Sequence, residues 1–266
     1  MAGFRWMKSS FRLSKYLSIS RNGIGMQKSI GLSRTVRLDW LDAAAGLCLE
    51  NEPPQEIRRR LFEMLEPAQK GAVERERIVD TLMRAWAKAK PELKQAGLHL
   101  YQQVENREER LWLHYGMILA QYPFFRSCMA SIGKIARTED RVTRPIIKAR
   151  IAREQGNLGG NERAVERLFV TLVDWGVLLP DEKNKSFSIQ RQQFSTSKVE
   201  LEQWLLSCAM QAYPTTNIPF NDLLALPELF PFRFSIRVDD LRSHPAFDVQ
   251  QQGLDLVMVQ AAQPRR

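Results

Sequence analysis

The stretch TRPIIKARIAREQGNLGGNERAVERLFVTLVDWGVLLPDEKNKSFSI, residues 143–189, determines the predicted fold. A first helix is predicted at 144–154. It is followed by a corner at 157–160, whose two glycines can adopt the positive φ that a sharp helix–helix turn requires. Asn161 is predicted to cap a second helix, because its side-chain oxygen can accept a hydrogen bond from a free backbone N–H. That helix is expected to end near Trp175, where a glycine follows.

Two short strands are predicted after the second helix. They lie at 177–179 and 186–189 and flank the polar turn 180–185. Helix, corner, helix and hairpin in this order are typical of a winged helix-turn-helix. The sequence therefore predicts such a domain at 139–195, within a mainly α protein.

The net charge of +9 is unevenly distributed along the chain. Residues 1–37 contain eight basic residues and no acidic residue, whereas the remainder has 31 basic and 30 acidic residues. The body of the protein is therefore nearly neutral, and an argument for nucleic acid must rest on local clusters of charge.

Residues 1–34 are predicted to form a basic, disordered tail. Their composition, rich in Arg, Lys and Ser, is also that of an organellar presequence or of an arm that binds phosphates. If translation starts at Met26, residues 1–25 do not belong to the native protein.

Residues 35–138 are predicted to form a helical domain. Apolar residues recur at helical spacing around Leu41, Ile57 and Leu82, which predicts three short helices. They fit either a plain bundle or a helix-turn-helix-like unit. A later helix around 111–119 is apolar nearly all round, which predicts a central, buried position.

Residues 196–266 are predicted to form a C-terminal helix and hairpin domain. A helix is expected at 198–213, an edge strand at 230–236, a helical turn at 238–243 and a hairpin within 247–259. This region is either a second winged unit or an extension of the first sheet.

Seven basic residues between Lys134 and Arg153 form the densest basic cluster outside the tail, with a local net charge of +5. In a helix-turn-helix the first helix of the pair crosses the DNA backbone, where basic side chains bind phosphates. A solvated helix face with ion pairs is the alternative.

The second helix has an inward stripe of Val165, Leu168, Phe169 and Leu172, so we expect Asn161, Arg163, Arg167 and Thr171 to face outward. Arginines at this spacing can bind guanine edges or phosphates. Three acidic residues on the same helix argue against deep insertion into the major groove. The predicted DNA-binding residues are Arg141, Arg144, Lys148, Arg153, Asn161, Arg163, Arg167, Thr171, Lys183 and Lys185.

The sequence lacks the motifs that are typical of several other classes of function. The phosphate-binding loop, the dinucleotide-binding glycine motif and the HExxH motif are missing, so no enzyme, cofactor, metal site or small-molecule substrate is predicted. Three widely spaced cysteines are typical of a reducing compartment, hence a cytoplasmic protein. No apolar run approaches the about 18 residues of a membrane helix, so no membrane partner is expected. His99 and His114 are expected to be ordinary core or surface residues.

Four stretches together resemble the A component of bacteriophage-exclusion (BREX) systems. They are 41–58, 75–82, the Tyr122–Arg126 break, and 168–178, which ends in Leu172-Val173-Asp174-Trp175-Gly176-Val177-Leu178. The similarity spans residues 38–190 and leaves out the basic tail and the C-terminal region. The resemblance implies a non-catalytic, DNA-binding part of a prokaryotic phage-defence complex, with other subunits as partners. The resemblance does not identify any residue of this chain that would contact DNA bases.

Three functions are compatible with these observations. The first is a DNA-binding accessory protein that contacts duplex DNA mainly through the phosphate backbone. The second is a scaffold subunit whose winged helices bind protein partners. The third is a transcriptional autoregulator, which requires a dimer and a spaced palindromic site, although no coiled-coil element is evident.

Overall fold

In a computed structural model the protein is mainly helical, with two small three-stranded antiparallel sheets in its second half. The structure describes residue 32 and residues 34–69, 71–156, 160–213, 216–253 and 256–262. The predicted disordered tail lies almost entirely outside the described residues.

The described part of the first half of the chain contains six helices, and the three short helices predicted around Leu41, Ile57 and Leu82 are confirmed. The six are α1 (Leu38–Leu49), α2 (Pro54–Met64), α3 (Ala72–Ala85), α4 (Pro91–Tyr101), α5 (Arg107–Gln121) and α6 (Pro123–Ile135). Every residue of α5 from Leu111 to Leu119 is buried, so the prediction of a central helix is confirmed. Helix α3 ends just before Trp86, which is fully buried against α5 and donates its indole N–H to His114.

The region that follows α6 contains a helix pair and the first sheet. Its elements are β1 (Arg141–Val142), α7 (Arg144–Gln155), α8 (Asn161–Asp174), β2 (Leu178–Asp181) and β3 (Ser186–Ile189). The strands are antiparallel in the order β1-β3-β2, with Val142 opposite Phe187 and Pro180 opposite Phe187 on its other side. The two predicted helices and the hairpin are confirmed, whereas β1 was not predicted.

The residue predicted to cap α8 does not do so. Gly160 occupies the N-cap position, and Asn161 is the first residue of the helix. The amide of Asn161 donates to the carbonyl oxygen of Gly156, 3.5 Å away, across the corner. Residues 157–159 of the predicted corner lie outside the described part of the chain.

The C-terminal region forms a second, separate sheet. Its elements are α9 (Val199–Met210), β4 (Ile218–Pro219), α10 (Phe220–Leu224), a 3₁₀ turn (Pro227–Leu229), α11 (Val238–Arg242), β5 (Phe247–Gln252) and β6 (Leu256–Ala261). The strand order is β4-β6-β5. The predicted hairpin is confirmed, and the alternative that this region completes the first sheet is wrong.

The predicted edge strand at 230–236 is also wrong. This segment is a loop that makes one isolated bridge, between Phe232 and Phe194. Its alternating aromatic residues pack inward instead, with the ring of Phe232 4.5 Å from Trp112 and 4.8 Å from Tyr115. The alternation reflects packing against α5 and not a sheet.

A single cluster of buried apolar side chains extends from Leu32 to Val259 and joins both halves of the chain. The segment just before α1 contributes to it directly, because Val36 is fully buried and packs beside α8. The helix pair is therefore attached to the N-terminal helices along one side, and this attachment decides which part of α8 is exposed.

Candidate nucleic-acid interface

Helices α7 and α8 and the β2–β3 hairpin present the predicted binding surface. The buried residues of α8 include Val165, Leu168, Phe169 and Leu172, so the inward stripe is confirmed. Glycine at 156 has a φ of 82°, a conformation in which an L side chain is strained, and it ends α7. The apolar stripe therefore holds α8 against the core, and Gly156 ends α7 before the corner.

Two of the predicted cations on α7 are paired with an acid on α8. Arg144 Nε lies 2.9 Å and Lys148 Nζ 2.6 Å from the two carboxylate oxygens of Glu166. The guanidinium of Arg144 also lies over the ring of Phe187, 4.7 Å from its centroid, and 5.7 Å from that of Phe169. Packing and charge together hold these side chains against the protein.

Arg141 is paired within the sheet. Its guanidinium forms an ion pair with Asp181 and lies 3.3 Å from the hydroxyl of Ser186. Hydrogen bonds from the side chains of Asn184 and Arg141 lower the pKa of Asp181 below its ordinary value. Arg141 thus joins β1 to the start of the hairpin turn.

The prediction that Arg167 and Thr171 face outward into a DNA groove is corrected by the structure. Thr171 is fully buried, and its hydroxyl accepts a hydrogen bond from the backbone N–H of Val36. Arg167 is directed toward α3, with its guanidinium 4.0 Å from Glu74. The segment before α1 covers this side of α8, which local periodicity cannot reveal.

Four predicted cations remain exposed: Arg153, Arg163, Lys183 and Lys185. Within the described parts of the chain, none of the four forms an ion pair. Arg153 belongs to the last turn of α7 and Arg163 to the first turn of α8, whereas both lysines belong to the hairpin turn. Among the predicted DNA-binding residues, the cations without an ion pair in the described parts of the chain therefore lie at the helix corner and at the tip of the hairpin, where Glu154, Glu162 and Glu182 are also exposed.

An apolar groove of about 480 Å³ lies between α8 and the hairpin. Val170, Val173, Pro180 and Phe187 line it, and Val170 is 48% exposed. The sequence contained a signal for it, because Val170 and Val173 are apolar residues three apart on α8 outside the inward stripe.

The remaining reactive side chains are part of the core. His114 is fully buried: its Nε2–H donates to Asp42 at 2.8 Å and its Nδ1 accepts from Trp86 at 3.2 Å. The prediction of a core histidine is confirmed for His114, and His99 is exposed. All three cysteines are free and buried, and burial raises the pKa of each thiol.

Among the described residues, no group of three or more His, Cys, Asp or Glu side chains could hold a metal ion. None of the described helices is long and apolar enough to cross a membrane.

Comparison with family models, with curated proteins and with solved structures found no match for this chain. Its candidate function therefore rests on the geometry described above.

Proposed function

We propose that residues 123–189 form a winged helix-turn-helix, in which α7 and α8 are the helix pair and the β2–β3 hairpin is the wing. The order of elements supports this proposal: a helix, a short strand, two helices and a hairpin. The strand order β1-β3-β2, in which the first strand pairs with the last, also supports it.

The C-terminal region repeats the same order. Helix α9 is followed by a short strand, two short helices and a hairpin, and its sheet has the equivalent strand order β4-β6-β5. We extend the proposal to a second winged unit there. Its α11 carries Asp239 and Asp240 beside Arg237 and Arg242, so this unit lacks an excess of positive charge and is left out of the DNA-binding proposal.

The function we propose is a non-catalytic, DNA-binding accessory protein that contacts duplex DNA mainly through its phosphate backbone. One observation carries it: four of the predicted cations, Arg153, Arg163, Lys183 and Lys185, are exposed and form no ion pair within the described residues, and they lie at the helix corner and at the hairpin tip, the two ends of the surface that a winged helix presents to DNA. Cations at separated points bind phosphates without reading bases.

Base reading is a weaker expectation for this surface. The exposed side of α8 offers Glu162, Arg163 and Glu166 followed by two valines, and Thr171 is buried. Of these residues, only the arginine suits a hydrogen bond to guanine. We therefore propose affinity that depends on salt and varies little with sequence.

The experiment is a titration of fluorescently labelled duplexes of two unrelated sequences, followed by anisotropy over a series of salt concentrations. A variant with Arg5, Lys8, Arg12, Lys15, Arg21 and Lys28 replaced by Gln separates the basic tail from the folded surface. We expect both proteins to bind both duplexes, with affinity that falls as salt rises. Loss of all binding in the tail variant would refute the assignment to the helix pair.

The cellular role that the resemblance implies, a cytoplasmic subunit of a phage-defence complex, is proposed on that resemblance alone. Affinity purification of the tagged full-length protein from a host that carries such a system tests it. Recovery of defence subunits supports the role, and recovery of the protein alone contradicts it.

The groove between α8 and the hairpin favours a second candidate function, a scaffold subunit. Val170 and Pro180 are exposed, Val173 is partly buried and Phe187 is buried. Together they line an apolar groove that suits an apolar segment of another subunit better than it suits DNA. In the purification above, Val170→Asp is expected to lose the partner in this case. Thr196→Asp, at a partly exposed position outside the groove, is the matched control.

A further inference from the structure

Arg144 and Lys148 converge on one carboxylate. They lie one helical turn apart on α7, and both approach Glu166 of α8, at 2.9 Å and 2.6 Å. Two cations that meet at the oxygens of one anionic group form an arrangement that also suits a phosphodiester.

The position of Arg144 does not depend on Glu166 alone. Its guanidinium is stacked over Phe187 and approaches Phe169, both of which are buried. Stacking of this kind holds a guanidinium in one orientation. When the charge of Glu166 is removed, the cation is therefore expected to keep its place.

Glu166 satisfies the charge of Arg144 incompletely. The Nε–H donor of Arg144 is screened from solvent and makes no hydrogen bond within the described parts of the chain, although a Glu166 oxygen lies 2.9 Å away. The oxygen is thus close enough for attraction but badly directed for the donor. An anion that takes the place of the Glu166 carboxylate and is aligned with the N–H bond gains a hydrogen bond that Glu166 does not provide.

The ion pairs are also accessible to a competitor. The side chains of Arg144 and Glu166 are 37% and 44% exposed, and partly exposed ion pairs contribute little stability. A DNA phosphate can therefore displace the carboxylate.

We propose that Arg144 and Lys148 form a phosphodiester-binding site that Glu166 occupies in the free protein and leaves when duplex DNA binds. This inference rests on the proposed DNA-binding function. It adds two phosphate contacts between the helix corner and the hairpin tip, and it makes Glu166 the residue that limits affinity.

Glu162 provides a matched control. It lies one turn before Glu166 on the same helix, is exposed, and forms no ion pair within the described residues. Glu162→Gln and Glu166→Gln change the net charge equally, but only the second releases Arg144 and Lys148.

The experiment compares both variants with the wild type by duplex anisotropy over a salt series. For Glu166→Gln we expect about three- to fivefold tighter binding at moderate salt, the order of one surface ion pair. The slope of log affinity against log salt should stay close to the wild-type value, because both proteins make the same phosphate contacts in the complex. Glu162→Gln should change affinity less than about twofold and leave the slope unchanged.

A second variant connects the gain to the site. Adding Lys148→Gln to Glu166→Gln should remove most of the gain in affinity and make the slope shallower by about 0.9, the loss of one phosphate contact. Thermal unfolding of every variant shows that the fold is intact. Equal effects of Glu162→Gln and Glu166→Gln, or a gain that persists without Lys148, would overturn the proposal.

A readout without DNA separates this inference from the proposed function. Pyrophosphate is titrated into protein with ¹⁵N-labelled arginine, and the side-chain Nε–H signal of Arg144 is followed by NMR. If no duplex binds but this signal shifts in Glu166→Gln and not in Glu162→Gln, the proposed function fails and the anion site stands. If duplex binds the wild type and the signal shifts in neither variant, the site fails and the function stands.

Discussion

The hydroxyl of Thr171 accepts a hydrogen bond from the backbone N–H of Val36, 2.9 Å away, although 135 residues separate the two in sequence. Two further hydrogen bonds join the same segments. The indole N–H of Trp175 donates to the carbonyl oxygen of Val36 at 3.0 Å, and the carboxylate of Asp174 accepts from the backbone N–H of Leu38 at 2.9 Å. Three hydrogen bonds thus attach the segment before α1 to the end of α8. The residue that local periodicity placed on a DNA-binding face fastens the helix pair to the rest of the molecule.

Replacing Thr171 with Val should therefore reduce stability and leave DNA binding unchanged. The side chain keeps its shape, but the buried N–H of Val36 loses its acceptor, a loss of about 1–3 kcal/mol in the free energy of unfolding. Chemical denaturation measures the loss, and duplex anisotropy measures binding under conditions in which the variant is folded. Weaker DNA binding with unchanged stability would contradict this account and indicate that Thr171 contacts DNA.

Acidification should destabilise the protein through His114. Burial lowers its pKa below the ordinary 6.5, against the opposing effect of Asp42, while nearby Arg110 lowers it further. The unfolded chain then binds more protons than the folded chain below about pH 6.5, so stability falls as pH decreases, by up to about 1.4 kcal/mol per pH unit.

The other groups that face the imidazole do not titrate in this range. Burial raises the pKa of Asp42, but the hydrogen bond with His114 and the charge of Arg110 outweigh it and hold the pKa below 3.8. The pKa of Tyr101 is raised by burial from 10.0. Denaturant unfolding between neutral pH and mild acid should show a slope that His114→Gln reduces. His99→Gln, at an exposed position, should keep it, and the reverse pattern would contradict this assignment.

Gly133 allows α6 to approach the 3₁₀ turn at Pro227–Leu229. A Cβ atom at this position would lie 1.8 Å from the carbonyl oxygen of Pro227, a backbone atom that cannot rotate away. Gly133→Ala should therefore lower the free energy of unfolding by about 3 kcal/mol, as overpacking in a core does.

Gly160→Ala is the control for that substitution. Among the described residues, a Cβ atom there meets nothing within 4 Å, and the backbone φ is −79°. Denaturant unfolding should show a change of less than about 1 kcal/mol, the usual range at an N-cap. Similar losses in the two variants would mean that α6 and the 3₁₀ turn do not pack as described.

The helices and the long hairpins could be predicted from sequence because their patterns are local. The stripe of Val165, Leu168 and Leu172 repeats at helical spacing, and polar turns separate the strands of both hairpins. Strand β1 could not be predicted, since a strand of two residues is too short to show an alternation of apolar and polar side chains. The alternating aromatic residues at 230–236 imitate a strand, although their rings pack against α5.

The candidate site was harder to predict because it depends on contacts between distant parts of the chain. Counting charges located the basic cluster on α7 but could not show that Glu166 pairs with two of its members. Nor could it show that Arg167 lies toward Glu74 or that Val36 covers Thr171. Tertiary packing decides which cations are free, and only the three-dimensional structure describes it.

The most direct test of the central claim removes one unpaired cation at each end of the proposed surface. Arg163→Gln with Lys185→Gln is compared with Arg77→Gln and Lys88→Gln, two exposed cations of the N-terminal helical region, at equal change in net charge. Duplex anisotropy over a salt series should show weaker binding in the first pair, with a slope of log affinity against log salt that is shallower by about two. The second pair should bind as the wild type does. Equal affinities and equal slopes in the two double variants would contradict the claim that the helix corner and hairpin tip bind DNA.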